Sequence, residues 1–118
     1  EAYEFLIAYA GRGLDRNQPP GTSEEVRDTL EKLGEAMADA HEAAGAVADE
    51  HDLEGEAHYA SMLSRMGEEI DEARIIVSLL SAQDRITSAQ VDNMNGMSVF
   101  QSVMMKFFFL DELTAHLR

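Results

Sequence analysis

The chain has 118 residues, 45% of them hydrophobic, with 23 acidic and 9 basic side chains and a net charge of −14 at pH 7. About two-thirds of the unfolded surface of a chain this long is buried on folding, so a single domain over 1–118 can hold a core without staples. The absence of cysteine excludes disulfides, thiolate metal sites and cysteine nucleophiles, and the negative charge argues against nucleic acid or an anionic membrane as partner, since both would repel it.

Tyr3 to Ala10 is a short apolar segment that reads as a two-turn helix over 3–10, stopped by Gly11 and Gly13. It lacks a basic-then-apolar leader, so a cytoplasmic protein is expected. Gly11 to Gly21 contains three glycines and the pair Pro19-Pro20, which makes 11–22 a loop. Thr22 and Glu25 then stand at capping-box spacing, the hydroxyl accepting a free amide of the first turn while the carboxylate reaches back.

From there the pattern is regular. Val26, Leu30, Leu33, Met37, Ala40, Ala44 and Val47 recur in alternating steps of four and three, a narrow apolar stripe on one helix face. Asp28, Glu35, Glu42 and Asp49 occupy the opposite side. The spacing predicts a helix over 23–51, about 40 Å long at 1.5 Å per residue.

Continued past 51, that stripe would need apolar residues where the sequence has Glu54, His58, Ser61, Arg65, Glu68 and Glu72. A second stripe starts instead in another phase, at Tyr59, and runs through Leu63, Met66, Ile70, Ala73, Val77 and Leu80. The loss of phase at Asp52-Leu53-Glu54-Gly55 marks a turn, with Gly55 suited to a left-handed cap. Two long helices, 23–51 and 56–95, are therefore expected to fold back on each other as an αα-hairpin, the second bending near Ser88.

Ser98 and Gln101 repeat the capping-box spacing and open a last helix over 98–117. Val99, Phe100, Val103, Met104, Phe107, Phe108, Phe109, Leu110 and Leu113 make it apolar around much of its circumference, so it needs cover on several sides. The expected fold is all-α, a small helical bundle built on a long antiparallel αα-hairpin with a C-terminal apolar helix. No uninterrupted apolar run approaches the roughly 18 residues of a membrane span.

The turn between the long helices gathers metal-competent side chains: Asp49, Glu50, His51, Asp52, Glu54, Glu56 and His58. His51, Glu54 and His58 are the candidate ligands for a divalent metal. A solvated corner of an acidic protein would carry the same residues, and no closed four-ligand spacing is present. The Glu-x-x-His pattern of di-iron bundles is missing, because Ala38, Ala48, Gly55 and Leu113 stand three before the four histidines.

Further along, Glu68-Glu69-Ile70-Asp71-Glu72 precedes the apolar run Ile75 to Leu80. Carboxylates three and four apart on a helix can hold Mg²⁺ for hydrolysis of a nucleotide triphosphate. The run resembles the acidic helix of the all-α nucleoside-triphosphate pyrophosphatases, which pair Glu-Glu-x-x-Glu with a following Glu-x-x-Asp helix. That resemblance implies a Mg-dependent pyrophosphatase. Here the partner run is Glu24-Glu25-x-x-Asp28 and lies upstream, while Arg65 and Arg74 offer the same acids ordinary ion pairs. No Gly-x-Ser-x-Gly elbow supports a serine hydrolase.

Residues 21–72 hold 16 acids against Arg27, Lys32 and Arg65, whereas 73–118 balance four acids with four bases. Such an acidic face is a solvated surface, a ribbon for a basic partner, or an adaptation to high salt. Met94, Met97, Met104 and Met105, with Phe100 and Phe107 to Phe109, make a deformable apolar region instead. A hairpin is too small to cover every side of it, and a second copy of the chain is the simplest cover. Met97, Phe100, Met104, Phe107, Phe108 and Phe109 are the candidate interface.

The first reading is therefore a non-enzymatic protein–protein interaction or assembly protein (an adaptor, chaperone-like factor or oligomeric subunit), dimeric with itself or bound to another protein, with no cofactor. The second is a metal-dependent enzyme or metal binder using the acid and histidine elbow.

Overall fold

The computed structural model describes residues 6, 8, 23–50 and 55–115. Among them the chain is all-α, with α1 (Ser23–Glu50), α2 (Glu56–Ser81), α3 (Ser88–Asn95) and α4 (Ser98–Thr114) in order. The expected loop over 11–22, the Thr22 cap and the turn residues 51–54 lie outside the described residues. Of the expected helix over 3–10, only Leu6 and Ala8 are described; both are helical, and Leu6 is fully buried in the core.

The hairpin forms as the two apolar stripes require. Leu30, Leu33, Met37, Ala40 and Ala44 of α1 are buried, as are Met66, Ile70, Ala73 and Val77 of α2. Val26, Tyr59, Leu63 and Leu80 flank them half-buried. Removing these faces from water is the main term holding the helices together. Three bonds across the pair fix an antiparallel register: Arg27 to Ser81, His41 to Leu63 and Tyr59 to Ala44. At the turn, Gly55 takes φ 78° and ψ 24° and stands at the N-cap of α2. A side chain there would suffer the left-handed clash of its Cβ, which costs roughly 1–2 kcal/mol. The Gly55 carbonyl accepts from the amides of His58 and Tyr59 at 3.0 and 3.1 Å.

The helix expected over 56–95 is interrupted. α2 stops at Ser81, where the Ala82 amide closes onto Ser78 and the Gln83 amide onto Leu80. Arg27 of α1 reaches across and donates through Nε to the Ser81 carbonyl at 2.8 Å and through Nη2 to the Gln83 carbonyl at 2.7 Å. A cation that satisfies the last carbonyls favours termination at that point. After the buried Ile86, Thr87 starts α3 with a full capping box. Its hydroxyl accepts from the Gln90 amide at 3.1 Å, and its own amide donates to Gln90 Oε1 at 3.0 Å. What the sequence reads as a bend near Ser88 is a break with a new helix start.

α4 packs mainly on α2 and more lightly on α1 and α3. Its N-cap is Met97, without a side-chain cap, so the expected Ser98–Gln101 box does not form; Ser98 already lies inside the first turn. Phe100 and Gln101 instead donate their amides to the Met97 carbonyl at 3.1 and 3.3 Å. The helix is described to Thr114, whose buried hydroxyl donates to the Leu110 carbonyl at 2.8 Å, and the expected end at 117 lies outside the described residues. No helix among the described residues is long and apolar enough to cross a membrane.

Candidate interaction surface

α4 sorts its apolar residues onto two faces. Phe100, Val103, Phe107, Leu110 and Thr114 alternate in steps of three and four and are buried against the hairpin. On the outward side Met105 is 71% exposed, Phe109 and Leu113 50% each, and Phe108 36%. Positions 105, 108, 109 and 113 share one side of a helix. They form an apolar stripe that faces away from the core, with the exposed Glu112 on the same side.

This changes the interface expected from sequence. Phe100 and Phe107 belong to the core and are removed from the candidate surface, since a side chain buried against the hairpin has nothing left to offer a partner. Met104 is half-buried and packed against the core. Phe108 and Phe109 remain, and Met97 is exposed at the helix start. Met105 and Leu113 are the additions. Their signal in the sequence is the step of four from Met105 through Phe109 to Leu113.

The charge distribution separates this stripe from the acidic face. Asp28, Glu35, Glu42 and Asp49 are all exposed along α1, and among the described residues they make one ion pair, Asp28 to Lys32 at 3.3 Å. The one cross-helix ion pair among the described residues sits where α4 meets α2, between Lys106 and Glu69. Burial pushes the Glu69 carboxyl up. Hydrogen bonds from Lys106 and Ser102, together with the Lys106 charge, outweigh it, and the group is held below the usual carboxylate value.

Of the proposed metal ligands, His51 and Glu54 lie outside the described residues, and His58 is exposed in the first turn of α2. Among the described residues no three histidine or carboxylate side chains come together where a metal ion could sit. The acidic run of α2 does not converge either. Glu69 turns to Lys106 and Ser102, while Glu68, Asp71 and Glu72 are exposed. The Ile75–Leu80 run that follows is only partly core: Val77 is buried, but Ile75 is 62% and Leu79 66% exposed. The chain matches no family model, no curated protein and no solved structure at a significant level.

Proposed function

We propose that this protein is a non-enzymatic interaction or assembly protein that docks through the outward face of α4, and that its partner there is a second copy of the same chain. The observation that carries the reading is the exposed stripe of Met105, Phe108, Phe109 and Leu113. Covering such a stripe gains about 25 cal/mol for each Å² of apolar surface removed from water. Charge opposes self-association less at this face than at α1. Two copies meeting through α1 would oppose rows of carboxylates, whereas the 73–118 region is electrically balanced. A two-fold pair with the α4 stripes in contact keeps the acidic ribbons out of the interface.

The test is a pair of charge insertions at exposed positions, Met105→Glu and Phe109→Glu, followed by sedimentation and circular dichroism. The wild-type chain should sediment as a dimer and the double variant as a monomer with unchanged helicity. A wild-type chain that stays monomeric at high micromolar concentration, or a dimer indifferent to both substitutions, overturns the reading.

A further inference from the structure

We infer that the outward face of α2 is a second docking surface, separate from the α4 stripe, and that it takes a basic amphipathic helix from another protein. Ile75 and Leu79 stand one turn apart and are, among the described residues, more exposed than any other large apolar side chain except Met105. They line an open groove of about 550 Å³ with Asp71, Arg74, Ser78 and Ala82. On the other side of Glu72 a second groove of about the same volume runs between α2 and the start of α4, lined in part by Ile76 and Met97.

Charge selects the occupant. Glu68, Asp71 and Glu72 lie one to two turns before the Ile75–Leu79 pair, are exposed, and carry no ion pair among the described residues. The surface is thus apolar at one end and, with three carboxylates against Arg74, net anionic at the other. A helix with apolar anchors three or four residues apart, continued by Lys or Arg, matches both halves. The α4 stripe of a second copy does not, because it has no cation cluster beside it. Nucleic acid and anionic lipid are repelled by the same carboxylates.

The probe is a fluorescein-labelled synthetic helix of Leu and Lys with its leucines on one face, titrated with the whole chain and read by anisotropy. Three variants separate docking from general attraction to an acidic protein. Ile75→Ser with Leu79→Ser leaves the charge untouched. Glu68→Gln, Asp71→Asn and Glu72→Gln together remove three charges from α2. Glu35→Gln, Asp39→Asn and Glu42→Gln remove three from α1. The first two variants should each weaken binding about tenfold, equivalent to about 1.4 kcal/mol, and the α1 variant less than about threefold. Equal weakening by the two charge variants, or wild-type affinity in the Ile75/Leu79 variant, overturns the inference. The α4 variants of the dimer test should bind the probe as the wild type does, so loss of the dimer and loss of this surface are read independently.

Discussion

Arg27 stands near the start of α1, yet its guanidinium closes the far end of α2 by donating to the carbonyls of Ser81 and Gln83. Carbonyls in a last helical turn have no intrahelical partner and carry partial negative charge, so a forked cation suits them. Arg27→Ala should cost about 1.5–3 kcal/mol, the range for hydrogen bonds to charged groups, measured by urea unfolding. Lysine should restore only part of that, since an ammonium cannot reproduce the fork. A loss below about 0.5 kcal/mol would mean that water replaces the guanidinium without penalty. Beside this clamp the Ser81 hydroxyl is buried and has no partner among the described residues.

Glu69 sets an acid limit on the joint between α2 and α4. Its carboxyl titrates below its ordinary value of 4.5 in the folded chain, so the fold binds that proton less tightly than the unfolded chain does. The stability it contributes is complete above about pH 4.5 and is lost as pH falls through the lower folded value. The wild type should therefore exceed Glu69→Gln in melting temperature near pH 7, and the gap should narrow as the pH falls below about 4.5. A gap that persists in acid would assign the effect of the substitution to packing rather than to charge.

At the scale of whole helices, what the sequence disclosed followed from how regular each stripe was. The α1 and α2 stripes each kept one spacing over seven positions, and a single slip of phase at 52–55 was enough to place the hairpin. The end of α2 was hidden because 82–87 contains neither glycine nor proline. Its signals were polar ones, the Thr87-x-x-Gln90 box and a cation more than fifty residues upstream in the chain. In α4 the buried series from Phe100 to Thr114 is as regular as the others, but apolar residues on the outward side masked it. Spacing alone could not say which of three adjacent phenylalanines faced inward. Alanine at each site separates them. Phe107→Ala should cost about 3–5 kcal/mol as a core cavity, whereas Phe109→Ala should leave the stability of the monomer nearly unchanged. Equal losses at the two positions would refute the assignment of faces.

Across the whole molecule, charge is segregated. The hairpin carries the acid along its outer face, and the C-terminal part is balanced. With few cations nearby, the carboxylates of α1 repel one another at spacings of three and four residues, by a few tenths of a kcal/mol for each pair. Salt at about 0.1 M screens such pairs over roughly 10 Å. The melting temperature should rise as salt is added from about 10 mM upward, and most of the rise should disappear in Glu35→Gln with Asp39→Asn and Glu42→Gln. A melting temperature flat in salt would mean that the buried stripe leaves the ribbon energetically silent.

The antiparallel register also orders events in time. Tyr59 meets Ala44 across 15 positions of chain, His41 meets Leu63 across 22, and Arg27 meets Ser81 across 54. Closing a loop costs more entropy as it lengthens, so the hairpin should zip from its hinge and fasten its clasp last. A chain without the Arg27 clasp then folds at nearly the normal speed and opens sooner.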